Sequence, residues 1–211
     1  MIAPTSFSTD SITLLQNRGL SDTQITDFAA LLEEANEQQE NNMSAKEVLN
    51  DMSHSELRLL QKGTSLAAAI DVNSLSKEGA MNLLAQPDKT DRVDLNNDGI
   101  VEIGAARNIM FPPVNAPAHV KAAWDKSTEG LSSFEKATLE LTLHLSVYGF
   151  GINDVSTKEP LSPEKQWSSE NLVEWFATLR GALERSVQEE GWTHYNENKR
   201  DFYDKFESYL T

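Results

Sequence analysis

At four places along the chain a serine that stands three residues ahead of a glutamate or glutamine is followed by helically spaced apolar residues. The pairs are Ser21 with Gln24, Ser44 with Glu47, Ser53 with Glu56 and Ser132 with Glu135. In such a capping box the serine oxygen accepts the third residue's backbone N–H, and that residue's side chain reaches back to the serine N–H. Donors that a helix start otherwise leaves without partners are satisfied. A chain marked this way is expected to fold mainly as helices.

The segments behind the boxes agree. After Ser21, the residues Ile25, Phe28, Ala29, Leu32 and Ala35 share one helical face, and the polar run Glu37 to Asn42 ends the helix. Two short helices follow the next boxes, carrying Val48, Leu49 and Met52, then Leu57, Leu59 and Leu60, with Gly63 as the stop. Another is expected over about Ser76 to Gln86, before Pro87, and another opens at Asn115-Ala116-Pro117. Behind Ser132 the expected buried stripe is Phe134, Thr138, Leu141, Leu145 and Tyr148, widened by Leu139 and Leu143. Gly149, Gly151 and Asn153 to Pro160 read as the longest loop. Ser162-Pro163 then restarts a helical region in which Leu172, Trp175, Phe176, Leu179, Leu183 and Val187 recur at spacings of three and four. Gly191 ends it, and Thr193 caps a last helix bearing Tyr195, Phe202, Phe206 and Tyr209. That aromatic stripe reads as core, with docking of a partner as the lesser reading.

The expected fold class is therefore mainly α, an irregular orthogonal bundle of about eight helices with one small β-hairpin carrying an acidic loop. Residues 1–20 read as a polar segment and a short helix, and 21–211 as a single helical domain. Within it, 21–87 supplies N-terminal helices, 88–113 the acidic hairpin loop and 114–211 the C-terminal helices. The hairpin is placed with its turn at Asn96-Asn97-Asp98-Gly99, between Val93 and Leu95 on one side and Ile100, Val101 and Ile103 on the other.

Chemistry is specified at one stretch, Asp94-Leu95-Asn96-Asn97-Asp98-Gly99-Ile100-Val101-Glu102. Oxygen-bearing side chains fall at its positions 1, 3, 5 and 9, with glycine at 6. Alternate residues of a tight loop can aim carboxylates and amides at one point, as a calcium ion with six to eight oxygens at about 2.3–2.6 Å requires. The bare alternative is a turn, since Asn, Asp and Gly favour tight turns without a metal. A plain turn has no need of Asp94 and Glu102, and five acids between Asp88 and Glu102 repel one another unless a cation offsets them.

Asp94, Asn96, Asp98, Gly99 and Glu102 resemble the nine-residue Asp-x-Asx-x-Asp-Gly-x-x-acid loop of integrin-type propeller repeats. The first six positions also resemble EF-hand and dockerin loops, but Ala105 stands where the EF-hand has its bidentate carboxylate. The resemblance covers about ten residues in a single copy, and it implies a metal loop and no wider function. It implies that Asp94, Asn96, Asp98 and Glu102 give side-chain oxygens and Ile100 its backbone carbonyl. One Ca²⁺ is expected ahead of Mg²⁺, because this many protein oxygens in a flexible loop suit the larger ion.

With 33 Asp and Glu against 18 Lys and Arg, the formal charge of −15 repels phosphate backbones and anionic lipids, so nucleic acid is not expected as a partner. Cysteine is absent, which removes disulfides, thiolate metal sites and cysteine nucleophiles. No apolar stretch approaches the roughly 18 residues needed to span a bilayer, and Met1 to Asp10 lacks the basic patch and apolar run of a signal peptide. A cytoplasmic location is the default expectation, and export without a cleaved signal peptide stays open. His54, His119, His144 and His194 have no second histidine at i+3 or i+4; three read as solvated and His144 as lying at the edge of the core. No nucleophile elbow, phosphate loop or dinucleotide fingerprint is present, so no catalytic residue is assigned. The expected function is a non-enzymatic calcium-binding protein whose ion orders a loop between two helical groups. The alternative is a metal-independent acidic interaction protein, a secreted effector or assembly factor with an unknown protein partner. A hydrolase with a structural calcium site comes third.

Overall fold

The computed structural model describes residues 7–88, 91–149 and 161–210. The expected loop from Gly151 and Asn153 to Pro160, like the first six residues, lies outside the described residues. Among those described, ten α-helices and one two-stranded sheet are present, so the fold is mainly α with one small hairpin. No described helix is long and apolar enough to cross a membrane. The chain divides into two compact units, Met1–Leu95 with Val101–Asn108, and Asn96–Ile100 with Ile109–Thr211.

The first unit contains α1 (Thr9–Asn17), α2 (Asp22–Glu40), α3 (Ala45–Asp51), α4 (His54–Thr64), a single 3₁₀ turn (Val72–Ser74) and α5 (Lys77–Leu83). The capping boxes at Ser21, Ser44 and Ser53 all form, each with both reciprocal hydrogen bonds. Helix α2 packs on α1, α3 and α4, and α3 packs on α5. Their inward faces bury Leu15, Phe28, Leu32, Leu49, Leu60 and Leu83 almost completely. Each such side chain taken from water contributes roughly 1.5–3 kcal/mol, which is what holds short helices that would not persist alone.

The sheet pairs β1 (Ile100–Ile103) with β2 (Ala106–Ile109). Its turn is therefore Gly104-Ala105, and the expected turn at Asn96–Gly99 is corrected: the acidic loop leads into the first strand instead of joining two strands. Val93 and Leu95 do not pair with β1 because side chains of α5 hold their backbone groups. The new turn depends on a close approach to α5. Gly104 N–H donates to the Gly79 carbonyl at 2.9 Å, and a Cβ on Gly79 would sit 2.2 Å from the Gly104 oxygen.

The second unit contains α6 (Ala118–Ser127), α7 (Ser133–Tyr148), α8 (Pro163–Gln166), α9 (Ser169–Glu190) and α10 (His194–Leu210). The region expected to run on from Ser162-Pro163 is two helices, because Ser168 accepts the N–H of Asn171 and starts α9 afresh. Helix α10 lies against α6 and α9, and α7 and α8 also contact α9. Phe206, fully buried, is the hub: the rings of Phe111, Trp124, Phe176 and Phe202 all lie within 6.3 Å of it, centroid to centroid. The closing helix thus spends Phe202 and Phe206 on the core. Tyr203 is buried with them, while the more exposed Tyr195 and Tyr209 lie against cations, with Lys199 over Tyr195 at 4.1 Å and Lys126 over Tyr209 at 5.5 Å.

The capping box at Ser132 forms, but only part of the expected stripe of α7 is buried. Leu139, Leu143, His144 and Tyr148 are buried, whereas Phe134 is 82% and Leu141 47% exposed. Apolar residues occur on most sides of this helix, so spacing alone does not choose the face that packs.

Candidate metal centre

Two side chains one turn apart on α5 hold the flanks of the acidic loop. Glu78 is buried, and its two carboxylate oxygens accept the backbone N–H groups of Leu95 and Glu102, each at 2.8 Å. Asn82 is also buried. Its Oδ1 accepts the N–H of Val93 at 2.8 Å, and its Nδ2 donates to the carbonyls of Val93 and Glu102, both at 2.8 Å. A buried carboxylate is costly unless hydrogen-bonded, and bonds to a charged group contribute roughly 1.5–3 kcal/mol each. Glu78 meets that condition with two backbone donors. Neither residue was a sequence candidate; an acid in a short polar helix reads as a solvated face, and only its near-complete burial marks it.

Of the residues expected as ligands, Asp94 and Glu102 lie in the first unit. Asp94 is buried. The Glu102 carboxylate accepts the hydroxyl of Ser76 and stands 4.0 Å from Arg107 Nε. Ser76 is also the N-cap of α5, where its oxygen accepts the N–H of Gly79 at 2.8 Å.

Asn96, Asp98 and Ile100 belong to the second unit, and the structure brings the first two together. Asn96 Oδ1 accepts the N–H of Asp98 at 3.2 Å, and Asn96 Nδ2 donates to Asp98 Oδ2 at 3.0 Å. Asp98 Oδ1 accepts the N–H of Ile100 at 2.8 Å, so both carboxylate oxygens have local donors. The bend is made at Asn97 and Gly99, whose φ angles are +56° and +75°. Asn97, named in the expected turn but not among the expected ligands, donates to the Leu161 carbonyl and accepts from Asn115 Nδ2 at 3.2 Å. Its φ lies where Asn is tolerated better than most residues.

His144 is 4% exposed, and its Nδ1 has no hydrogen-bond partner among the described residues. Burial pushes its pKa down, and the charge of Asp98 opposes that shift. The ring lies 4.9 Å from that of Tyr148. Among the described residues no three His, Cys, Asp or Glu side chains converge as ligands of one ion. The donors around the loop are carboxylate, amide and carbonyl oxygens, which suit a hard cation rather than a thiophilic one. The chain matches no protein-family model, no curated protein and no solved structure at a significant level.

Proposed function

We propose that the segment Asp94–Glu102 binds one Ca²⁺ through Asp94, Asn96, Asp98 and Glu102 side-chain oxygens and the Ile100 carbonyl, and that the ion is structural. The observation that carries this reading is the loop itself: oxygens at alternate positions, a positive-φ glycine at the sixth, and flanks fastened to α5 by Glu78 and Asn82. Ligation takes Asp98 Oδ2 away from Asn96 and Glu102 away from Ser76, two local hydrogen bonds that a divalent charge outweighs. Because the ion relieves repulsion among the acids and orders the stretch joining the two units, its binding free energy adds to stability. Calorimetric titration at low ionic strength tests this: saturable heat by about 5 mM Ca²⁺ is expected, with a melting temperature lowered by EDTA. Absence of both refutes it.

A second reading has its own support. Glu102 is engaged by Ser76 and faces Arg107, and Asp98 is engaged by Asn96 and Ile100, so the loop has protein partners for its acids without an ion. In that reading the protein is a metal-independent acidic interaction protein, and binding of a basic partner is unchanged by EDTA.

A further inference from the structure

Away from the acidic loop, residues of α7, α8, α9 and their flanks line a half-open hollow of about 190 Å³. That is slightly larger than the roughly 150 Å³ cavity that holds a benzene molecule, and below the roughly 300 Å³ at which drug-sized sites begin. It suits a compact head group. Its walls are Tyr148, Trp167 and Trp175, the two indoles meeting at 90° with centroids 5.9 Å apart. The corner therefore combines ring face and ring edge.

Most polar side chains of the wall already have protein partners. Trp175 Nε1 donates to Ser146 Oγ at 2.8 Å, Gln166 Nε2 donates to the Tyr148 hydroxyl at 3.3 Å, and Asn171 Nδ2 donates to the Lys165 carbonyl. Glu174 is the exception. It shares one face of α9 with Asn171, Trp175 and Thr178, is exposed, and makes no ion pair or side-chain hydrogen bond among the described residues. No Lys, Arg or His joins it among the described lining residues. Among the described residues, the hollow thus offers π surface, one carboxylate and no compensating cation.

We propose that this hollow binds an alkylated ammonium group, the Trp175 and Trp167 rings taking its methyl groups and Glu174 balancing its charge. Ring quadrupoles attract a cation that lies on them, and a quaternary ammonium has a weak hydration shell to give up and no N–H needing an acceptor. An anionic ligand meets no cation among the described lining residues.

The test uses the full-length protein with ¹⁵N-labelled indoles and choline as the probe. Saturable shifts are expected at the Trp175 and Trp167 N–H signals and not at Trp192, which is 55% exposed and has Arg200 over its ring. The neutral isostere 3,3-dimethylbutan-1-ol is expected to bind roughly tenfold more weakly, the measure of the cation–π and carboxylate contribution. Glu174→Gln, on an exposed position, is expected to weaken choline several-fold while leaving the melting temperature unchanged. A trimethyllysine peptide carries the same head group; tighter binding than choline assigns the source to a modified protein, weaker binding to a free small molecule. Equal binding of the neutral isostere, or shifts still linear at about 10 mM choline, overturns the proposal.

Discussion

The ring of Tyr148 lies against Gly99 so closely that a Cβ at residue 99 would sit 2.2 Å from the ring carbon Cε2. Gly99 is held at φ +75°, where any other residue is strained even without the contact. Gly99→Ala is therefore expected to destabilise the protein by about 2–4 kcal/mol, combining backbone strain with overpacking. Urea unfolding measures it. In the Gly99→Ala/Tyr148→Ala double variant the loss is expected to be smaller than the sum of the single losses, because removing the ring relieves the steric part. Simple additivity would show that the contact contributes nothing.

The carboxylate of Glu78 is acceptor to two backbone donors, and Gln is nearly isosteric but offers only one acceptor oxygen. Glu78→Gln forces an NH₂ against the N–H of either Leu95 or Glu102, leaving a buried donor unsatisfied at a cost of roughly 1–3 kcal/mol. Hydrogen exchange is the sharper readout, since the amides of Leu95 and Glu102 are expected to lose protection while those of α2 keep theirs. Uniform loss across the unit would mean that Glu78 supports the fold as a whole rather than the loop. Calcium affinity measured on the same variant separates loop positioning from ligation, because Glu78 itself is not among the proposed ligands.

The same residue explains where sequence reasoning stopped. Capping boxes are local, so Ser21, Ser44, Ser53 and Ser132 each mark a helix start that the structure keeps. The hairpin was misplaced because the groups that occupy the backbone of Val93 and Leu95 come from Glu78 and Asn82, between 11 and 17 residues away. No turn preference at Asn96–Gly99 carries that information. For α7 the difficulty was an apolar residue on nearly every side; Phe134 and Leu139 look equivalent until a neighbouring helix chooses between them. The acidic loop was legible as a pattern of oxygens, whereas the clamp beneath it was not.

If the loop takes an ion, its ligands can be told apart. Asp98→Asn removes a charge but keeps an oxygen, and is expected to weaken Ca²⁺ by about tenfold, in the spirit of affinity set by ligand charge count. Glu102→Gln does likewise and also weakens the contact with Arg107, an exposed pair that contributes about 0–1 kcal/mol without metal. Titration calorimetry of both variants against the parent checks this. Unchanged heats in the variants would place any calcium elsewhere.

Each capping box predicts its own response. Ser53→Ala removes the oxygen that accepts the N–H of Glu56 and is expected to cost about 1 kcal/mol. Hydrogen bonds from Ser53 hold the Glu56 carboxyl below its usual range. The sign follows: a depressed folded-state pKa gives stability that is present above the unfolded value near 4.3 and lost as pH falls through the lower folded value. The gap between parent and Ser53→Ala is therefore expected to be smallest in strong acid, where only the loss of the cap oxygen remains, and to widen above about pH 4.5. A constant gap across that window would show that Glu56 adds nothing to the cap.

At the alkaline end the group to watch is Tyr203 on α10, which is 2% exposed. Burial, with the nearby Tyr195 adding to it, pushes its pKa up to about 12. The folded state keeps the proton while an unfolded chain releases it near pH 10, so between these values the unfolded state binds fewer protons and stability falls as pH rises. A shift of that size corresponds to a loss on the order of 2–3 kcal/mol once pH has passed through the folded value. Phenolate absorbance near 295 nm should then show one of the four tyrosines titrating late, together with unfolding. Tyr203→Phe keeps the ring in the core and removes the ionisable group, so its stability is expected to hold to a higher pH than the parent's. Should parent and variant lose stability in step between pH 10 and 12, the alkaline limit belongs to other groups and the buried phenol is a bystander.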